Sequence, residues 1–226
     1  MSDAPPRHFT ADYVERVALR DGTVIVLRLV VPEDKQLLET GFKRWSAESR
    51  YARFLAMKTT LTADELRYLT EVDQQDHFAL GAVQEDEATG ERIGMGIARF
   101  IRLTDRHATA EAAIAVADEA QGRGLGKLLF LRLCAAAEER GFERFHCEVL
   151  GSNTGMAALI EGIAPERTTE VGNGVMSIEM VLPHVTPTEP PETPGPESSL
   201  YRMLRAAAQH TIEWTSGMLR AWRREE

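Results

Sequence analysis

The 226-residue sequence is poor in cysteine, in long apolar runs and in surplus positive charge. Its two cysteines, Cys134 and Cys147, belong to no CxxC pair and to no Cys/His cluster with zinc spacing. We therefore expect no disulfide framework, no metal cofactor and a reducing, cytoplasmic location. No apolar run approaches the roughly 18 residues that a membrane-spanning helix needs. Residues 1–6 also lack the basic and apolar regions of a signal peptide.

The charge balance disfavours one broad class of partner. The chain has 26 Lys and Arg against 35 Asp and Glu, which gives a formal net charge of −9. Nucleic-acid binding needs clustered Lys and Arg for the phosphates, so no nucleic-acid partner is expected. A cationic substrate such as an amine is compatible with this charge, although the charge does not imply one.

Composition divides the chain into four parts. Residues 1–13 are polar and contain proline, and are predicted to be a flexible N-terminus. Residues 14–183 carry the patterns of a folded domain. Five of the ten prolines lie in 184–197, which predicts an extended linker. Apolar residues in 198–226 recur at three- and four-residue spacing, which predicts an amphipathic helix. We expect that helix to dock on its own domain or to join a homodimer, with a membrane surface as the alternative.

Strands and helices are mixed within 14–183. Asp21-Gly22 between two β-rich runs predicts a hairpin. Thr62 and Glu65 have the spacing of a capping box, which predicts a helix over 62–70. Other predicted helices cover 32–45, 46–54, 125–140 and 153–161. Predicted strands after the hairpin cover 78–83, 93–103, 111–116, 145–150 and 174–182.

A glycine-rich segment, Gln121-Gly-Arg-Gly-Leu-Gly-Lys127, lies between a predicted strand and a predicted helix. Glycines allow close approach of the backbone to a ligand, and the free N–H groups of a helix start favour an anion such as pyrophosphate. The segment is not a Walker A loop, because Leu128 rather than Ser or Thr follows the lysine. It is not a dinucleotide fingerprint from Gly122, because position 127 is not glycine. The remaining pattern is Gln-x-x-Gly-x-Gly.

This pattern resembles the acyl-CoA loop of the GNAT acyltransferase superfamily. The superfamily's order of strand, two helices, three strands, helix, strand, helix and strand is similar to the order predicted over 23–182. The N-terminal half also resembles bacterial Pat-type protein lysine acetyltransferase domains. The stretches that carry this second resemblance are Leu19-Arg20-Asp21-Gly22, Pro32-Glu33-Asp34, Glu48-Ser49-Arg50-Tyr51 with Arg53-Phe54, and 65–70. The resemblance implies the GNAT acyl-CoA N-acyltransferase fold, an α/β fold with a mixed, mostly antiparallel twisted sheet, a central splay and flanking helices.

The resemblance also implies a binding site for acetyl-CoA as acyl donor. The strand before the loop would bind the pantetheine arm through its backbone, with one N–H acting as an oxyanion donor. The loop would hold the pyrophosphate, and an asparagine that opens the penultimate helix would contact the CoA arm. The implied binding residues are Ile114, Ala115, Val116, Gln121, Gly122, Arg123, Gly124, Leu125, Gly126, Lys127 and Asn153, with Val116 as the oxyanion donor.

Acyl transfer to an amine needs a base. A lysine amine with a pKa of about 10.4 is charged at pH 7, and freeing it costs roughly 4.6 kcal/mol. A positioned carboxylate can take that proton. Glu111 stands where Pat-like GNATs carry their base, and Glu148 stands where N-terminal-acetylating GNATs carry theirs. Both are candidates. Many GNATs also have a tyrosine that protonates the CoA thiolate, but Ile160 stands at that position here.

The sequence therefore predicts an acetyl-CoA-dependent N-acetyltransferase that transfers an acetyl group directly to a primary amine. A protein lysine is one candidate acceptor, and a small-molecule amine is the first alternative. The second alternative is a catalytically weak module that senses acyl-CoA. This alternative stays open because Ile160 stands where many GNATs have the proton-donating tyrosine.

Overall fold

The computed structural model describes residues 7–86 and 89–185. Eight strands form one sheet in the order β1-β2-β3-β4-β5-β6-β8-β7. The strands are β1 (Val14–Ala18), β2 (Val24–Leu29), β3 (His77–Glu85), β4 (Arg92–Leu103), β5 (Arg106–Val116), β6 (Arg144–Leu150), β7 (Arg167–Gly172) and β8 (Val175–Val181). The α-helices are α1 (Lys35–Arg44), α2 (Ala47–Phe54), α3 (Ala63–Thr70), α4 (Leu125–Glu138) and α5 (Thr154–Ile163).

The sheet opens at its centre. All neighbouring strands pair antiparallel except β5 and β6, which are parallel. This parallel contact is short, since only residues 109–111 pair with 144–146. Beyond it, β5 runs on to Val116 and β6 to Leu150 without pairing with each other. The predicted fold, a mixed and mostly antiparallel sheet with a central splay and flanking helices, is confirmed.

Helices cover both faces of the sheet. Ten of the 14 residues of α4 are buried, and the main core lies between this helix and the sheet, where Phe100 contacts Phe78 and Phe145. On this face a Cβ at Gly96 would lie 2.9 Å from Leu129 and 3.1 Å from the Ala115 carbonyl, so a larger residue would require these neighbours to shift. Helix α1 covers the other face together with α2 and α3. Because helices cover both faces, a ligand can approach the centre of the sheet at the splay between β5 and β6.

Residues within 7–13 pack against the folded domain. Phe9 is 1% exposed, and its carbonyl accepts a hydrogen bond from Arg140 at 2.9 Å. The Glu139 carboxylate accepts hydrogen bonds from the N–H groups of His8 and Phe9. The flexible N-terminus over 1–13 stays a prediction, with these contacts of residues 8 and 9 set against it. Sequence reasoning missed this packing because a single short aromatic segment makes the contacts, and its apolar residues do not repeat at a regular spacing.

Two further differences concern strands. β5 begins at Arg106 rather than at 111, and β7 was not predicted at all. β7 is an edge strand that pairs only with β8, and most of its residues are exposed, so it lacks the alternating apolar pattern of a half-buried strand. The predicted linker 184–197 lies almost wholly, and the predicted helix 198–226 wholly, outside the described residues. The domain boundaries remain predictions.

Candidate active site

The free edge of β5 faces the splay. The Ala117 N–H donates to the Met95 carbonyl of β4 at 2.8 Å. Because successive peptide groups of an extended strand point to opposite edges, the N–H groups of Val116 and Ile114 point away from β4, into the splay. The Val116 carbonyl on that same edge accepts a hydrogen bond from the Gln121 side chain at 3.2 Å. The predicted pantetheine strand therefore offers backbone donors at the opening of the sheet.

The glycine-rich loop presents the N-terminus of α4 beside this edge. Gly122 and Gly124 have φ of +71° and +93°, in the left-handed region that favours glycine. Gly124 is the N-cap of α4 and has no side chain to cap the first-turn N–H groups. A Cβ at Gly126 would lie 3.8 Å from Val116 and 3.9 Å from Leu159 of α5. These uncapped amides and the helix dipole form a site suited to a phosphate group.

The β1–β2 hairpin turn lies against this loop. Arg123 forms an ion pair with Asp21 at 2.7 Å. The Arg20 Nε lies 3.6 Å from the place where a Cβ of Gly124 would stand. Sequence reasoning missed Arg20, because the contact depends on how a distant hairpin packs. Arg20 and Arg123 both place positive charge beside the loop, where an anionic group would be stabilised.

Two predicted binding side chains are used within the protein. The Gln121 amide donates to Val116 and to the Asp118 carboxylate, so it closes the turn between β5 and α4. The Asn153 side-chain oxygen accepts the Met156 N–H at 3.0 Å and caps α5. For Gln121, the side-chain oxygen and the backbone are the groups left for a ligand. For Asn153, the side-chain amide nitrogen is the group left for a ligand.

The two candidate bases lie on one face of the sheet. Glu111 is in register with His146 of β6, and Glu148 follows two residues later, so all three side chains share a face. The His146 Nε2 lies 2.9 Å from the Glu148 carboxylate. Both glutamates are exposed, and Glu111 is the last residue of β5 that pairs with β6, where the splay begins. Sequence reasoning missed His146, although the two-residue spacing on a strand could have placed it on the face of Glu148.

Two further residues have no catalytic place in this arrangement. Cys147 points to the opposite face of β6 from His146 and is buried, and burial raises the pKa of its thiol to about 12. It is therefore not a nucleophile at neutral pH. Ile160 is fully buried in the core, so α5 supplies no proton donor at that position.

The profile of the acetyltransferase (GNAT) family matches residues 40–161. The chain belongs to this family. Acetyltransferase Pat of Mycolicibacterium smegmatis is 33% identical over 195 residues, which cover 85% of this chain and 57% of Pat. The predicted resemblance of this GNAT chain to Pat-type domains is thus confirmed, although the chain spans little more than half the length of that relative.

Solved structures agree with this assignment. The GNAT domain of S. lividans PAT is 30% identical, with a TM-score of 0.68 over 77% of this chain and 99% of that domain. A putative acetyltransferase from Salmonella typhimurium, solved with its cofactor acetyl-CoA, is 18% identical. Its TM-score is 0.54 over 74% of this chain and 99% of its own, a likeness that concerns the fold alone.

Within residues 7–86 and 89–185, no three His, Cys, Asp or Glu side chains are grouped so that they could hold a metal ion. None of the helices in these ranges has the length and apolar character needed to cross a bilayer.

Proposed function

We propose that this GNAT domain is an acetyl-CoA-dependent N-acetyltransferase that acts on a primary amine. The observation that carries the proposal is the splay between β5 and β6. On one side of it lie the free backbone edge of β5 and the uncapped N-terminus of α4. At its start lies Glu111, on the face shared with Glu148. Donor-binding groups and candidate bases therefore meet at one opening.

Acetyl-CoA would supply an acetyl group activated as a thioester. The first-turn amides of α4, with Arg20 and Arg123 nearby, fit its pyrophosphate. The backbone of residues 114–116 fits the amide groups of a pantetheine arm. The Val116 N–H, which points into the splay, would donate a hydrogen bond to the oxygen on which charge develops during transfer.

Glu111 is the better placed of the two candidate bases. Its carboxylate makes no hydrogen bond or ion pair with any residue in the described ranges, whereas the Glu148 carboxylate already binds His146. Glu111 also lies at the point where β5 leaves β6. In this position it would take the proton of an ammonium group and leave the neutral amine to attack the thioester.

Two details of the proposal concern the acceptor and the cell compartment. A protein lysine is one candidate acceptor, on the strength of the resemblance to Pat-type domains. Cys134 and Cys147 are both free thiols and buried, which fits a cytoplasmic protein. The alternative of an acyl-CoA sensor is favoured by one observation, the buried Ile160 in place of a proton donor on α5.

Binding of CoA can be tested through a single methyl group. Gly126→Ala adds a Cβ between β5 and α5, at 3.8–3.9 Å from Val116, Ile114 and Leu159. We expect the apoprotein to stay folded, because alanine suits a helix better than glycine. We expect CoA to bind about 10-fold more weakly or worse, as one extra methyl in a close-fitting site typically costs about 1–3 kcal/mol. The measurement is the thermal shift produced by graded CoA.

Gly41→Ala is the matched control for this variant. Gly41 lies within α1, away from the splay, and a Cβ there would meet only the Gly94 carbonyl at 3.8 Å. The control should keep the CoA response of the unaltered protein. If the unaltered protein shows no shift at millimolar CoA, the loop assignment is wrong.

An acceptor screen separates the enzyme from the sensor. Release of free CoA from acetyl-CoA is measured with a panel of amines and lysine peptides, and without any acceptor. Release that depends on an amine supports the enzyme. A thermal shift with CoA but no release with any acceptor would favour the sensor.

A further inference from the structure

Two arginines lie close together beside the candidate active site, and neither forms an ion pair with a residue in the described ranges. Arg53 comes from α2 and Arg99 from β4, and both line a small cavity between the helical layer of α1 to α3 and the sheet. The other residues that line it are Leu38, Phe42, Trp45, Phe54, Leu61, Leu69 and Ile97. The cavity wall is therefore apolar except for the two guanidinium groups.

Arg99 is buried with part of its hydrogen-bonding capacity unused. It is 4% exposed, and its Nη atoms bind the Leu69 carbonyl and the His77 Nε2, each at 3.0 Å. Its buried Nε has no hydrogen-bond partner. Arg53 makes no hydrogen bond or ion pair with any residue in ranges 7–86 and 89–185. Buried charges are normally paired, so the buried Arg99 beside the half-buried Arg53 needs an explanation.

No carboxylate in the described ranges forms an ion pair with either arginine, and Glu111 acts on Arg53 only through its charge, without a hydrogen bond. Burial and the Arg99 charge lower the pKa of His77 to about 4, so this imidazole is neutral at pH 7. Burial and the Arg53 charge lower the pKa of Arg99 to about 9, and this guanidinium therefore stays charged at pH 7. The cavity thus concentrates positive charge that only neutral groups contact directly.

The cavity lies on the face of the sheet that carries Glu111. Arg99 is in register with Ala113 of β5, which lies two residues from Glu111 on the same face. Arg53 is close enough for its charge to interact with that of Glu111. An anion bound by the two arginines would therefore lie on the same face of the sheet as Glu111, the proposed base.

We propose that Arg53 and Arg99 form a binding site for a carboxylate carried by one of the two reactants. This inference rests on the proposed acyltransferase function. The carboxylate has two possible sources: the amine acceptor, as in an amino acid, or the far end of a dicarboxylic acyl group on the donor. In either case the Arg99 Nε–H would gain a partner, and the two positive charges would be neutralised.

The test compares reactants that differ only in a carboxylate. In the acceptor arm, amino carboxylic acids and their carboxamides are assayed with acetyl-CoA, with each rate normalised for free amine. In the donor arm, succinyl-CoA and butyryl-CoA are assayed with a neutral amine. We expect kcat/KM to favour the carboxylate about 10–100-fold in one arm, the range given by hydrogen bonds to a charged group. The arm in which this preference appears identifies the source.

Arg53→Met is expected to abolish most of that preference, and Arg53→Lys to retain part of it. Arg67→Met is the control, since it removes the same charge from the exposed face of α3 and should leave the ratio unchanged. Arg99→Met provides a second test, but it also removes the bonds to Leu69 and His77. The inference would be overturned if Arg53→Met left the ratio of kcat/KM values for carboxylate and neutral reactants unchanged. It would also be overturned if neither arm showed a preference for the carboxylate.

Binding measured without turnover separates this inference from the proposed function. Succinate should raise the melting temperature of the unaltered protein more than succinamide does, and this difference should be lost in Arg53→Met. If succinate binds in this way but no acceptor releases CoA, the carboxylate site stands and the enzyme proposal fails. If CoA is released but neither readout depends on the carboxylate, the enzyme stands and the carboxylate site is wrong.

Discussion

Replacing Glu111 with glutamine is expected to lower kcat about 10²–10⁴-fold, the usual contribution of a general base. Glutamine keeps the size and the exposed position of the side chain but cannot accept the ammonium proton. The free amine fraction at pH 7 would then have to come from solution, at a cost of roughly 4.6 kcal/mol for a lysine. CoA affinity should be nearly unchanged, since the loop and the free edge of β5 stay intact. Steady-state rates and CoA thermal shifts measure the two effects.

The pH dependence of this loss distinguishes a base from a merely structural residue. As the pH approaches the pKa of the acceptor amine, about 10.4 for lysine, free amine becomes abundant and the base is no longer needed. The deficit of Glu111→Gln should therefore shrink at high pH. Glu148→Gln is the matched comparison, because Glu148 lies on the same face but is already bound to His146. A larger loss in Glu148→Gln would move the base to β6.

Local patterns in the sequence were enough to predict much of the fold. The capping box of Thr62 and Glu65 is present, with both reciprocal hydrogen bonds, and α3 begins where it predicts. The glycine-rich loop also lies between a strand and a helix, as predicted. Such signals work because the interactions that they describe span only a few residues. β7 escaped prediction because an exposed edge strand buries too little surface to impose an apolar alternation.

The site was less predictable, since its geometry depends on contacts between distant segments. Arg20 reaches the loop only because the β1–β2 hairpin packs against it. The meeting of Glu111 with His146 depends on the single parallel pairing of the sheet. The pairing of Arg53 with Arg99 joins a helix and a strand that no short motif links. The contact between His146 and Glu148 was accessible, because residues two apart on a strand share a face.

The second large effect is expected on stability, from Glu15→Gln. Arg132 of α4 is completely buried, and its side chain binds both oxygens of the Glu15 carboxylate at 2.8 Å. Glutamine would remove the negative charge of Glu15 from this buried guanidinium. We expect a loss of about 3 kcal/mol in the free energy of unfolding, the lower end of the range for breaking a buried pair, since Glu15 is partly accessible. That corresponds to a fall in Tm of about 6–12 °C for a domain of this size.

The effect of Glu15→Gln should also depend on pH in a definite direction. Burial acts to raise the pKa of Glu15, but the hydrogen bonds from Arg132 and Tyr13 outweigh it, so the folded-state pKa is lowered. A carboxylate with a lowered pKa stabilises the fold above its unfolded pKa, about 4.3, and loses this contribution as the pH falls through the folded value. The difference in stability between the unaltered protein and the variant should therefore be largest at neutral pH and shrink below about pH 4.

Glu39→Gln is the control for this pair, because Glu39 and Lys43 form an exposed ion pair one turn apart on α1. Its loss should cost no more than about 0.5 kcal/mol at any pH, as solvent screens both charges. Urea unfolding at several pH values measures both variants. Equal costs for Glu15→Gln and Glu39→Gln at neutral pH would show that Arg132 finds another partner. If Glu15→Gln costs more than Glu39→Gln at neutral pH and this difference stays the same in acid, packing rather than charge stabilises the contact between β1 and α4.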